Sequence, residues 1–176
     1  TDADPMANTQ CEQLLEGTTV ATVFGGADDD DSSGSLSNVQ VRFSGFAIAP
    51  GDELQAITTG GMGGGTNLSN IMTFNSSDDG IEFFGGTVNI DGLAVIGASD
   101  DSIDADTGTQ GNLQYVVVAQ RPGGVGDSII ELDSPPGDFS TDARPQTILN
   151  VANFTFIQGS GDDQAVRARG GSQINL

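Results

Sequence analysis

Short runs of alternating apolar and polar residues recur along the chain and can be aligned with one another. Each of five runs has an apolar residue at its first and fourth positions, and the sixth position is also apolar in all but one of them. Alternation of this kind gives a β-strand one buried face. The runs begin at Leu36, Leu68, Ile90, Leu113 and Val151. Their fourth positions form one predicted inward column: Val39, Ile71, Leu93, Val116 and Phe154.

A second series of short strands follows the first, with one member after each run. Its members place an outward polar residue between inward apolar ones, and most of them come after an acidic pair. The predicted second inward column consists of Leu54, Ile81, Ile103 and Ile130. The acidic pairs are Asp52-Glu53, Asp78-Asp79, Asp100-Asp101 and Asp162-Asp163.

The spacing of these strands indicates a solenoid. Leu68 and Ile90 are 22 residues apart, as are Ile81 and Ile103, and the longer spacings coincide with stretches rich in glycine or proline. Stacked repeats keep their strands in register and absorb insertions in their turns. We therefore predict an all-β, right-handed parallel β-helix of about five coils with loop insertions. A β-sandwich remains an alternative, but it does not predict an acidic corner that recurs with this period.

The ends of the chain suggest that it is part of something larger. We expect one β-helix domain over residues 1–176, with an acidic loop or edge region at 1–33 and regular coils at 34–176. The last residues begin another turn and then stop, and the single cysteine, Cys11, has no partner for an internal disulfide. Uncapped solenoid ends favour edge-to-edge association. We expect either a piece of a longer chain or ends that stack on neighbouring copies.

Several segments carry a family resemblance. Residues 11–17, 36–46, 75–89 and 152–157 resemble exported right-handed β-helix proteins of proteobacteria, which are often described as lipoproteins. The resemblance implies this fold and a location outside the cell or at the outer membrane or surface of a Gram-negative bacterium. It implies no catalytic residues, because no activity is established for that family.

Charge narrows the range of partners. The chain has 25 acidic residues against five basic ones, all arginine, and its formal net charge is −20. Such a surface repels nucleic acid and anionic lipid, and it attracts cations. The sequence also contains no apolar run of the roughly 18 residues that a membrane-spanning helix needs.

The acidic corners are the main candidate for chemistry. Carboxylates stacked about 4.8 Å apart repel by about 1 kcal/mol in water and by about 3.5 kcal/mol at an effective dielectric constant near 20. They must splay into solvent, take up protons, accept backbone N–H groups or share a cation, and Ca²⁺ accepts six to eight oxygen ligands in loose geometry. The alternative is that each aspartate makes an Asx-turn and faces water. The candidate Ca²⁺ ligands are Asp78, Asp79, Asp100, Asp101 and Asp104.

A second acidic cluster, at 28–34, contains the opening of a calcium loop. Asp29 and Asp31 are its candidate ligands, but the position of the bidentate glutamate of an EF-hand is occupied by Gln40. The segment is therefore either a weak calcium turn or a disordered acidic loop. Residues 123–129 resemble one nonapeptide of a calcium-binding β-roll, a site that needs tandem copies.

Catalysis finds less support. Polygalacturonases combine their carboxylates with a histidine and a lysine, and this sequence has neither residue type. A base of the pectate-lyase type would have to be Arg167 or Arg169. We predict a non-catalytic extracellular or cell-surface scaffold that binds Ca²⁺ and assembles with itself, with envelope components or with glycans. The alternative is a carbohydrate-active β-helix, a lyase, hydrolase or glycan-binding protein, whose active site lies mostly outside this segment.

Overall fold

The computed structural model describes residues 12–18, 20–49, 51–123, 125–134, 144–159 and 164–176, and their regular structure consists of β-strands. The strands are β1 (Glu12–Leu15), β2 (Thr22–Gly25), β3 (Ser35–Arg42), β4 (Phe46–Ala49), β5 (Asp52–Leu54), β6 (Thr58–Gly60), β7 (Asn67–Phe74), β8 (Ile81–Phe84), β9 (Asn89–Ile96), β10 (Ile103–Asp106), β11 (Gln110–Ala119), β12 (Ile130–Leu132), β13 (Ile148–Ile157), β14 (Val166–Ala168) and β15 (Gln173–Asn175). Among these residues, no helix is long and apolar enough to span a membrane.

Two parallel sheets form the body of the molecule. The long-strand sheet has the order β15-β13-β11-β9-β7-β3, and the short-strand sheet has the order β14-β12-β10-β8-β6. The chain alternates between the sheets, so each coil contributes one strand to both. This arrangement is a parallel β-helix, and the predicted fold is confirmed. Two antiparallel hairpins, β1-β2 and β4-β5, are additions to the coils.

The first predicted column is confirmed in its register. Val39, Ile71, Leu93, Val116 and Phe154 occupy paired positions on five successive strands of the long-strand sheet. The prediction that Phe154 lies inside is wrong, because its side chain is 39% exposed. The next strand, β15, pairs only with the first three residues of β13, so it does not cover Phe154.

The second predicted column is correct except at its first member. Ile81, Ile103 and Ile130 are paired and fully buried. Leu54 is 40% exposed and lies in the β4-β5 hairpin, an insertion that has the same acidic-then-apolar pattern as the coil strands. Ile57 takes the expected place, since its carbonyl accepts the N–H of Glu82.

A bend divides the strands of the long-strand sheet at one registered position. The residues at this position all have positive φ: Asn38, Asn70, Gly92, Tyr115 and Asn153. Asparagine and glycine adopt this left-handed conformation most readily. Their presence at the third position of four of the five runs is the sequence signal for the bend.

Candidate cation-binding site

The short-strand sheet carries a column of charged side chains on its outer face. Glu82, Asp104, Glu131 and Arg167 occupy paired positions on β8, β10, β12 and β14. Successive residues of a strand point to opposite faces, so the inward isoleucine or valine that precedes each of them fixes these side chains outward. Neighbouring carboxylates are therefore held at strand spacing by the packing of the core behind them.

This column forms the floor of a cleft of about 250 Å³, here called the acidic cleft. The turns that precede the strands form one side of it. Its lining consists of Glu16, Glu53, Gln55, Asp78, Asp79, Glu82, Asp100, Asp101, Asp104, Asp106, Asp127, Glu131, Asp133, Arg167 and Arg169.

Five of the seven predicted ligands line the acidic cleft: Asp78, Asp79, Asp100, Asp101 and Asp104. Two groups have oxygen atoms close enough to share an ion, with all ligand atoms of a group within 4.8 Å of one another. The first group is Asp79, Glu82 and Asp104, and the second is Asp100, Asp101 and Asp127.

Asp79 and Asp101 are buried and accept hydrogen bonds from the backbone of the next coil, whereas the alternative interpretation has local Asx-turns that face water. The backbone N–H of Asp101 donates to Oδ1 of Asp79 at 2.8 Å, and the N–H of Ser128 donates to Oδ1 of Asp101 at 2.5 Å. Each of these carboxylates thus ties its coil to the next through one oxygen. The second oxygen is not used by this bond, so a role in joining the coils and a role as a ligand are compatible.

Three carboxylate oxygens in the cleft are buried without a hydrogen-bond partner among the described residues. They are Oε2 of Glu82, Oδ1 of Asp104 and Oδ1 of Asp106. A buried polar atom without a partner costs on the order of 1–3 kcal/mol, and a charged one costs more. These atoms must therefore be protonated, hydrated or bound to a cation.

Burial also raises the pKa values of these groups. Burial is the main cause that raises the pKa of Glu82 to about 11, and repulsion from Asp79 is the second. Burial and the charge of Asp106 raise the pKa of Asp104 well above its usual value, and burial raises that of Asp101 to about 7. Without a cation the cleft therefore holds protons at neutral pH.

Two arginines bound the cleft at the β14 end. Arg167 Nη1 lies 3.1 Å from Oε2 of Glu131 and 3.4 Å from Oδ2 of Asp127. Arg169 donates from Nε to Oδ1 of Asp133 at 2.8 Å, and its Nη2 also contacts Glu131 and Asp133. Charge is compensated at this end, whereas the end formed by Glu82 and Asp104 has no such cationic contact among the described residues.

The opposite end is walled by an N-terminal segment and the β4-β5 hairpin. Oε1 of Glu16 accepts a hydrogen bond from Nε2 of Gln55 at 2.9 Å. The N–H of Gly17 donates to Oδ1 of Asp52 at 2.7 Å, and a side chain at position 17 would collide with the carbonyl of Glu53. Of the predicted pair Asp52-Glu53, only Glu53 lines the cleft. Gln55 holds the place in its coil that Asp79 holds in the next one.

The remaining acidic candidates lie elsewhere. Asp29 and Asp31 are exposed and line a separate depression beside the glycine-rich turn at 61–65. Their carbonyls accept the N–H groups of Gly64 and Gly65, at 2.8 and 3.1 Å, so this loop is docked rather than disordered. Any side chain at Gly63 would overlap Asp31, which explains the glycines opposite the loop. Asp162-Asp163 and Cys11 lie outside the described residues.

Sequence reasoning missed several residues of the cleft. The sequence did not predict four of its acidic residues as ligands: Glu82, Asp106, Glu131 and Asp133. Yet Glu82 and Glu131 occupy the same outward position as Asp104 in the aligned strands. That shared position was the available signal. Glu16 gave none, because its place over the cleft depends on a contact with Gln55, 39 residues away.

Comparison with known proteins agrees with the fold. Searches of curated proteins and of solved structures found no significant match. A family model described as a pectate-lyase-like β-helix domain matches residues 7–176, nearly the whole chain. The protein therefore belongs to the pectate-lyase-like β-helix domain family.

Proposed function

We propose that the acidic cleft binds divalent cations and that Ca²⁺ is the cation it fits best. The observation that carries this proposal is the set of buried carboxylate oxygens without partners, on Glu82, Asp104 and Asp106. Glu82 and Asp104 have ligand atoms within 4.8 Å of each other and of Asp79, so they can share one cation, and Asp106 lines the same cleft. Protonation satisfies them only by keeping carboxylic acids neutral at a pH where they are normally ionised.

The ligand chemistry favours Ca²⁺ over the transition metals. The sequence has no histidine, and the carboxylates offer hard oxygen ligands only. Oxygen donors suit Mg²⁺ and Ca²⁺, while imidazole and thiolate donors suit zinc and copper. Ca²⁺ tolerates irregular arrangements of six to eight oxygens, whereas Mg²⁺ demands a near-ideal octahedron and retains its waters. A row of carboxylates fixed by strand spacing fits the more tolerant ion.

The two groups of ligands have different roles in this proposal. Asp79, Glu82 and Asp104 form the inner site, where burial makes a bound cation most effective. Asp100, Asp101 and Asp127 form an outer site, where Asp127 already contacts Arg167. The inner site is expected to bind more tightly, because no arginine competes for its carboxylates among the described residues.

The test is calcium-dependent stability. A cation that binds the folded chain but not the unfolded chain raises the free energy of unfolding. The increase is about 2.7 kcal/mol when the cation concentration is a hundred times its Kd. Millimolar CaCl₂ should raise the melting temperature well beyond NaCl of equal ionic strength, and a chelator should reverse the effect. Asp104→Asn should remove most of the calcium-specific shift, while Asp30→Asn, which removes the same charge outside the cleft, should retain it. Equal melting temperatures in Ca²⁺ and chelator would refute the proposal.

A carbohydrate-active role is the second candidate, and it is favoured by Arg167 and Arg169 beside the acidic cleft. A uronate carboxylate placed there would meet a bound cation on one side and a guanidinium on the other. Arginine stays protonated and pairs with carboxylates through parallel N–H donors, so these residues suit binding of an acidic sugar. Polygalacturonate should then bind only when Ca²⁺ is present. A rise in ultraviolet absorbance from unsaturated uronate products would indicate a lyase.

The proposed setting is extracellular or at the cell surface. The support is the acidity of the chain, since a net charge of −20 maintains solubility and draws cations toward the cleft. In that setting the protein serves as a Ca²⁺-stabilised scaffold, and assembly with further copies or with envelope components remains a prediction.

A further inference from the structure

A second groove runs along the long-strand sheet, away from the acidic cleft, and encloses about 690 Å³. It is called the amide groove here because asparagine side chains dominate its lining. The residues are Thr66, Asn67, Leu68, Asn89, Ile90, Asp91, Asn112, Leu113, Gln114, Asn150, Val151, Ala152, Asn175 and Leu176. They come from five successive strands of the sheet.

The asparagines form a hydrogen-bonded ladder. Asn112 Nδ2 donates to Oδ1 of Asn89 at 2.7 Å, Asn150 to Asn112 at 2.9 Å and Asn175 to Asn150 at 2.7 Å. A side-chain amide has two N–H donors and a carbonyl with two lone pairs. The Asn112 side chain uses one N–H donor and one carbonyl lone pair in the ladder. Its second N–H donor and its second lone pair have no partner among the described residues. The ladder thus holds exposed amides in a fixed orientation.

The spacing of the ladder selects the kind of polymer that can match it. One amide per coil repeats at about 4.8 Å, and five coils span about 19 Å. An extended peptide presents equivalent groups every two residues, at about 6.6 Å, and falls out of step within two coils. An extended β-1,4-linked pyranose chain advances by about one coil spacing per sugar unit. Successive sugars are turned over, so equivalent groups recur at every second coil and the chain stays in step with the ladder.

The charge of the groove selects the class of sugar. Among the described residues, Asp91 is the one charged residue in its lining, in a protein with a net charge of −20. A uronate chain would be repelled there, since the lining that the structure describes contains no arginine and no carboxylate cluster to hold a bridging cation. The amides can donate hydrogen bonds to sugar hydroxyl groups and accept hydrogen bonds from them, while Asp91 can accept them. Exposed Ala152 and Leu176 can contact the C–H surface of a sugar ring.

We propose that the amide groove binds an extended, uncharged β-linked polysaccharide with one sugar unit per coil. This binding is independent of the acidic cleft, because the two sites share no residue. It therefore requires no calcium.

Calorimetric titration with cellohexaose, in the presence of chelator, tests the proposal. The wild-type protein should bind cellohexaose, and maltohexaose, whose α-linkages curve the chain, should bind at least tenfold more weakly. Asn112→Ala and Asn150→Ala should each weaken binding about tenfold, since each removes one or two hydrogen bonds. Thr155→Ala, an exposed polar change on β13 beyond the bend, is the matched control and should leave binding unchanged.

Several outcomes would overturn the proposal. They are absence of hexasaccharide binding, affinity that the asparagine variants leave unchanged, and preference for an extended serine–threonine decapeptide. If the variants do not fold, hydrogen exchange of the wild-type protein decides. Cellohexaose should protect residues 89–91, 112–114 and 150–152, and protection confined to residues 103–106 would place the sugar in the acidic cleft instead.

Discussion

Glu82→Gln is the most informative single change in this protein, because it separates the cost of burying a carboxyl group from its value as a ligand. Glu82 is 4% exposed, and its Oε2 has no hydrogen-bond partner among the described residues. Glutamine has the same shape, carries no charge and can donate to the neighbouring carboxylates of Asp79 and Asp104.

The magnitude follows from the pKa of Glu82, which rises from 4.5 to about 11 on folding. At about pH 7 the unfolded chain has an ionised Glu82, while the folded, cation-free protein has a protonated one. Taking up that proton costs about 1.4 kcal/mol for each pH unit above the unfolded pKa, or about 3 kcal/mol. Glutamine avoids this cost. For a domain of this size, about 3 kcal/mol corresponds to a melting temperature about 10 °C higher.

The assay is thermal unfolding by circular dichroism, in chelator and in millimolar Ca²⁺. In chelator, Glu82→Gln should melt about 10 °C above the wild type, and in Ca²⁺ the wild type should recover much of the difference while the variant gains little. Asp30→Asn, which also removes one negative charge, controls for the effect of net charge. A variant less stable than the wild type in chelator, or one with an undiminished calcium shift, would refute the reasoning.

Three further predictions concern pH, the core and the bend. The pKa values of Asp101 and Asp106 are raised by burial from 3.8 to about 7, so the folded chain binds more protons than the unfolded chain between about pH 4 and 7. Cation-free stability should therefore fall by several kcal/mol as pH rises through that window, and urea unfolding at a series of pH values would contradict this if stability rose instead. Leu93→Asp buries an unpaired charge and should abolish cooperative unfolding, whereas Val117→Asp, at an exposed position of the adjacent strand, should not. Tyr115 is 57% exposed and has a φ of 57°, so Tyr115→Gly should relieve about 1 kcal/mol of backbone strain. A variant that is clearly less stable to urea would contradict this and would show that the tyrosine ring packs more tightly than the structure indicates.

The sequence determined the solenoid and most of its register. Inward residues such as Leu93 and Ile103 recur with both the two-residue alternation of a strand and the period of about 22 residues of a coil. A shift of one residue would expose every one of them to solvent, so burial of the apolar face fixes the pairing. For the same reason the outward position of Asp104 was predictable, and so was the meeting of acidic corners from neighbouring coils.

Only the tertiary structure decided where the insertions go and which carboxylates lose their solvent. The β4-β5 hairpin reproduces the local pattern of a coil strand, so nothing within residues 52–56 shows that Ile57, rather than Leu54, enters the core. The docking of Glu16 on Gln55 closes one end of the cleft through a contact between segments 39 residues apart. The pKa of a carboxyl group depends on such surroundings rather than on its neighbours in the chain. Hence the sequence indicated where the acids lie, and only the fold determined that Glu82 is buried while Asp29 faces water.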